Sequence, residues 1–188
     1  MRILDTLLGR TKLAPSKVDA LFRISTAYIT LETTLDMQHA NTAGICIKII
    51  PSTPFERLKG DLDELLQIAR RDTATEFEMV KDQYGYLWIV LRDPDFEDLV
   101  TTLHLISSTL IESGFGDQLL SSVFKFTKEA KAIYLIYTYK KGTFYPFVPL
   151  KGRERDEQYE LKLGALLEPE LPVEKNRENW YPLWELPL

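Results

Sequence analysis

One cysteine, Cys46, and two histidines, His39 and His104, are all the thiol and imidazole groups in the 188 residues. An internal disulfide is therefore impossible, and no spacing of zinc ligands can be assembled. Cys46 lies inside the apolar run "GICIKII", and free cysteine is among the most buried residue types, so a core thiol is expected rather than a nucleophile. No stretch approaches the ~20 consecutive apolar residues of a membrane-spanning helix. The opening residues also lack the basic start, long apolar stretch and small-residue cleavage site of a secretory signal, so a cytoplasmic location is expected. Basic charge is not in excess: the formal net charge is -5, which argues against nucleic-acid binding, because phosphate neutralisation needs a concentrated basic surface. No Ser/His/Asp constellation and no phosphate-cradling glycine loop accompanies these shortages. "GFG", with Gly142 far downstream, is no nucleotide motif.

What the chain does have is the make-up of a globular protein, 45% hydrophobic and 27% charged. Its length suits one domain, read as residues 15–167, flanked by a short amphipathic segment 1–14 and an extended Pro/Trp-rich strap 168–188. "MRILDTLLGRTK" places Ile3, Leu4, Leu7 and Leu8 in a helical stripe with Arg10 and Lys12 beside it. So short a helix does not hold alone in water and must dock. "PSKVDALFR" reads as a second short helical stretch. In "ISTAYITLETTL" the β-branched density favours a strand, with a helix capped by Ser25 as the competing reading. "DMQHANT" reads as a loop before a strand from Gly44 to Ile50.

"STPFERLKGDLDELLQIARR" predicts a helix capped by Thr53, with Glu56 completing a capping box and Phe55, Leu58, Leu62, Leu65, Leu66 and Ala69 on its inner face. Asp61, Asp63 and Glu64 then fall on the solvated side. "EFEMV" and "YLWIVL" predict a hairpin through Gly85, with Trp88 packed mid-strand. A helix begun by Asp93 or Asp95 and ended at Gly114 follows, with His104 on its polar face or boundary. Strands "LLSSVFKF" and "AIYLIYTY" come next, the second apolar on both faces. Lys140, Lys141 and Gly142 form a turn into a returning strand, Phe144 to Val148, whose prolines mark it as an edge or the last strand of the sheet. Asp156 starts a last helix with Tyr159, Leu163, Leu166 and Leu167 facing one way. Trp180, Tyr181 and Trp184 are too aromatic for a disordered tail, so the end is expected to strap onto the domain or a partner.

The class is α+β: a mixed or antiparallel sheet with amphipathic helices packed on it. The β-α-β-β-α-β order from Gly44 to Phe126 suits a ferredoxin-like, split βαβ core with an added hairpin. A run of ββα units is the alternative, because a strand at Ile24–Leu35 would not fit beside a central first strand.

The chain resembles the PspA-associated family PspAB. The likeness is carried by "MRILDTLLGRTK", "DQYGYLWIVLRDP", "LIESGFGDQLLSSVFKF", "YKKGTFYPFVP" and "WYPLW", in family order over nearly the whole length. The resemblance implies a link to the membrane-stress response built on PspA, a PspA-family protein as partner, and no enzymatic activity or cofactor to carry over. A non-enzymatic adaptor is therefore expected. Ile3, Leu4, Leu7, Leu8, Arg10 and Lys12 are its candidate contacts to a partner or to the inner membrane surface, since PspA-type proteins meet membranes through such segments. The competing reading is that the same apolar side chains dock on the domain itself. A small-ligand binder or enzyme is the alternative, with an aromatic surface of Tyr139, Phe144, Tyr145 and Phe147 closed by Trp180 or Trp184. Self-association through these aromatics, giving a homodimer, is a third reading.

Overall fold

The computed structural model describes residues 18–188. A 3-10 turn, Ala20–Phe22, leads into helix α1, Arg23–Thr33. Then follow β1 Gln38–Lys48, α2 Thr53–Thr73, β2 Glu76–Lys81, β3 Tyr86–Arg92, α3 Phe96–Glu112, β4 Leu119–Lys128, β5 Lys131–Thr138, β6 Thr143–Phe147 and α4 Glu157–Leu167. The six strands form one antiparallel sheet in the order β2-β3-β1-β4-β5-β6. The β-α-β-β-α-β succession from β1 to β4 thus interleaves as β2-β3-β1-β4, with β1 central, and the β5–β6 hairpin extends the β4 side.

Register fixes which residues share a face. Ala43, Ile45 and Ile47 of β1 lie opposite Leu91, Ile89 and Leu87 of β3, and all six are buried. This is the helical face: Phe96 of α3 packs on Phe124 and Phe126 of β4, with ring centroids 5.6 and 5.7 Å away. Gly44, Cys46, Trp88, Ser121, Tyr145 and Phe147 point the other way, toward the C-terminal strap.

The segment 24–35 is helical through Thr33 and turns at Thr34 and Leu35; it is not a strand. Ile24, Ala27 and Leu31 are buried, a spacing of three and four that one helical face satisfies, and packing overrides the weak helix propensity of its threonines. Ser25 does not cap it; its hydroxyl donates to Glu97 at 2.8 Å. The expected loop "DMQHANT" also differs. Gln38 to Thr42 belong to β1, where a register shift between His39 and Ala43, with Asn41 at φ 54°, admits polar residues without apolar alternation. Helix α2 is capped by Ser52 rather than Thr53: the Ser52 hydroxyl accepts from Phe55 N at 3.3 Å, while Glu56 pairs with Lys59. Asp95 and Asp156 cap α3 and α4. Leu166 of α4 is exposed, not inward.

The proline-bearing strand β6 ends the paired sheet. Phe144 N donates outward to Pro172 O at 2.8 Å and Val148 N outward to Glu160 Oε1 at 2.7 Å. Position 146, between them, would also direct its N–H outward; Pro146 removes the one donor there for which no such acceptor is supplied.

Candidate functional site

Beyond α4 the chain lies across the sheet and is pinned at each step. Trp180 Nε1 donates to Glu174 O at 2.9 Å, and the Trp180 ring sits so close to Gly164 that a Cβ there would meet Cη2 at 2.7 Å. Tyr145 donates its hydroxyl proton to Tyr181 O at 3.0 Å, Trp184 stands edge-on to Phe147 at 5.1 Å, and Lys125 Nζ donates to Leu188 O at 2.8 Å. A latch lies beneath. Glu160, 2% exposed, accepts from Val148 N and takes Arg155 Nε at 2.8 Å and Nη2 at 2.7 Å, while Arg155 Nη1 donates to Trp180 O at 2.7 Å.

Tyr139, Phe144, Tyr145, Phe147 and Trp180 are therefore buried and present no surface. Tyr145 packs on Trp180 and Phe147 on Trp184, while Tyr139 and Phe144 pack on Tyr137 on the opposite, helical face of the sheet; of the six, Trp184 alone is partly exposed. The other six expected contacts, Ile3, Leu4, Leu7, Leu8, Arg10 and Lys12, lie outside the described residues.

The concavity lies on the far side of Trp184. A trough of about 580 Å³ runs between the β2–β3 hairpin and the strap, within the ~300–1,000 Å³ range of ligand clefts. Cys46, Trp88 and Ser121 form its floor, Val80, Asp82, Tyr84 and Tyr86 one wall, and Leu183, Trp184 and Leu186 the other. Asp82 organises the hairpin: Oδ1 accepts from Tyr84 N and Tyr86 N, both at 2.9 Å, and Oδ2 accepts from Trp88 Nε1 at 3.0 Å. All three donors are neutral, and among the described residues no cation pairs with Asp82. Gln83 donates to Glu185, which also pairs with Arg153 at 2.7 Å, tying hairpin to strap at the rim. The hydrogen bond from Arg153 holds the Glu185 carboxyl below its ordinary range.

Sequence reasoning placed Trp88 in a strand but missed Asp82, Tyr84 and Glu185. The available signal was "DQYG", an Asp opening a turn that can accept the backbone N–H two residues on, with Trp88 across the hairpin.

Burial, with Asp82 adding to it, pushes the Cys46 thiol up to about 12, so no thiolate is available at neutral pH. Iodoacetamide at pH 8 is expected to leave Cys46 unmodified in the folded protein and to alkylate one equivalent in urea; rapid native alkylation, read by mass spectrometry, would contradict the buried placement. No cluster of three or more His, Cys, Asp or Glu suited to a metal occurs among the described residues.

A second, shallower concavity lies by Asn41, Thr42, Arg92 and Asp93. There the Asp93 carboxylate is already engaged by the Thr75 hydroxyl at 2.5 Å and Asp95 N at 2.8 Å. Nearby His39 stands edge-on to Tyr28 at 5.5 Å and to Phe96 at 5.6 Å. Burial lowers its pKa from 6.5 despite Glu32, Asp95 and Asp93, which act in the opposite sense. The unfolded chain therefore binds the proton first. His39's contribution to stability is complete above pH 6.5 and declines as pH falls through 6.5 toward the folded-state value. The urea midpoint is expected to fall between pH 7.5 and 5.5, and less steeply in His39→Phe; an unchanged slope in that variant would contradict this.

No helix of the described residues is long and apolar enough to cross a membrane. No curated protein and no solved structure matches the chain. The family model described as PspA associated protein B matches residues 1–188. That match spans the whole sequence, and the chain belongs to the PspA associated protein B family.

Proposed function

We propose that this protein is a non-enzymatic adaptor or regulator of a PspA-type membrane-stress response, acting by direct contact with a PspA-family protein. The observation that carries the reading is membership in a family named for association with PspA. The trough supports it. Its aromatic lining and its protonated Cys46 suit holding a ligand and supply no activated nucleophile. Residues 1–14 belong to the same reading as a peripheral attachment. Ile3, Leu4, Leu7 and Leu8, with Arg10 and Lys12 beside them, have the composition of an interfacial segment; each apolar side chain adds at most about 2 kcal/mol and each cation about 1 kcal/mol near anionic lipid, so attachment is reversible.

Mixing the purified full chain with the purified PspA-family protein should give a co-eluting complex on size exclusion with light scattering. Separate elution at micromolar concentrations overturns the adaptor reading. The attachment has its own test: sedimentation with anionic vesicles should weaken in full-length Leu4→Glu/Leu7→Glu, and equal sedimentation removes the membrane contact.

A further inference from the structure

We infer that the trough between the β2–β3 hairpin and the strap is the docking site for a basic, apolar-faced segment of the protein partner; this rests on the adaptor reading and names the surface it uses. Three features converge. The floor and walls are aromatic and aliphatic, with Trp88, Trp184, Tyr84 and Tyr86 among the lining residues. Their positions are set in advance: the Trp88 indole is tethered to Asp82, and Trp184 rests against the buried Phe147, so little ordering entropy opposes binding. The third feature is charge. Asp82 carries a carboxylate at the wall of an apolar trough with only neutral donors around it, whereas Glu185 at the rim already has Arg153.

A carboxylate so placed gains from an incoming ammonium or guanidinium group, which the aromatic faces also attract, and it repels an acidic segment. The chain's own net charge of -5 acts in the same direction over longer range. An apolar residue filling the space over Trp88, beside a Lys or Arg reaching Asp82, matches both the shape and the sign of the site.

The probes are two twelve-residue peptides with the same four leucines on one helical face, one carrying four lysines on the other face and its counterpart four glutamates. Binding to the full-length protein is followed by tryptophan emission and calorimetry. The lysine peptide is expected to bind saturably, at least tenfold more tightly than the glutamate peptide, and more weakly as salt rises. Asp82→Asn should weaken it about tenfold, a loss of about 1.4 kcal/mol. Because Asp82 also organises the turn, Tyr84→Lys is the second variant: Tyr84 is 64% exposed, so the change leaves folding intact while placing a cation at the wall, and a similar loss is expected.

Equal affinity for both peptides, or unchanged binding of the lysine peptide by both variants, overturns the inference. Tighter lysine-peptide binding by full-length Leu7→Glu/Leu8→Glu than by the parent would put residues 1–14 in the trough, and overturns the assignment to a partner. The two readings fail separately. Capture of the PspA-family protein equally by the parent and by Tyr84→Lys leaves the adaptor standing and removes the trough; no capture, with charge-selective peptide binding intact, removes the adaptor alone.

Discussion

Glu160→Ala should lower the unfolding free energy by about 3–5 kcal/mol, the loss expected when one member of a buried ion pair is removed and the other is left uncompensated. The pair is not a surface bridge: the Glu160 side chain is 2% exposed and that of Arg155 18%. Removing the carboxylate strands Arg155 over the Phe147 ring, 5.4 Å away, and deprives Val148 N of its acceptor. It also loosens the arginine that holds Trp180 O. With a urea m-value of about 2 kcal/mol/M, the midpoint should fall by roughly 1.5–2.5 M at unchanged m. Glu160→Gln keeps an acceptor for Val148 N and should fall between the two. A shift under 0.5 M for Glu160→Ala would mean that the latch contributes little.

Trp180→Ala carries the second large effect, again about 3–5 kcal/mol for a large aromatic removed from a buried site. The indole is 7% exposed, donates to Glu174 O and stacks on Tyr145 with centroids 6.4 Å apart. Its fit to Gly164 gives a sharper test than the loss itself. In the parent, Gly164→Ala drives a Cβ to 2.7 Å from Trp180 Cη2 and should destabilise, by about 1–3 kcal/mol for overpacking. In the Trp180→Ala background the obstacle is gone, and the same change should stabilise by up to about 1 kcal/mol, the ordinary gain of alanine over glycine inside a helix. The coupling energy from urea titrations of the four proteins therefore has a predicted sign. Additive effects would show that Trp180 does not lie on Gly164.

These latches also mark where sequence reading reached its limit. Strands β2 to β6 and helices α2, α3 and α4 were legible because their apolar spacing and turn residues agree with the final packing: Gly85 and Gly142 have the positive φ their turns demand. Helix α1 was not, since Thr26, Thr30 and Thr33 carry a strand-like composition and the helix is selected by packing against α3 and β1, where Tyr28 meets Phe96 and His39. Glu160 was legible as a helical residue but not as a buried one, because its partner comes from the loop before α4 and its acceptor role from β6. The trough was the least accessible of all. Its two walls are about a hundred residues apart in sequence, and nothing in either stretch says that the strap crosses the Trp88 face. Of the aromatics of "YKKGTFYPFVP", Tyr145 and Phe147 hold the strap, while Tyr139 and Phe144 pack with Tyr137 on the helical face of the sheet.

Hydrogen exchange of the full chain, alone and with the PspA-family protein, shows whether the trough is where a partner docks. Added protection is expected only at residues 80–88 and 182–188, the two walls of the trough. Protection elsewhere on the domain, with both walls exchanging as in the free protein, would contradict it.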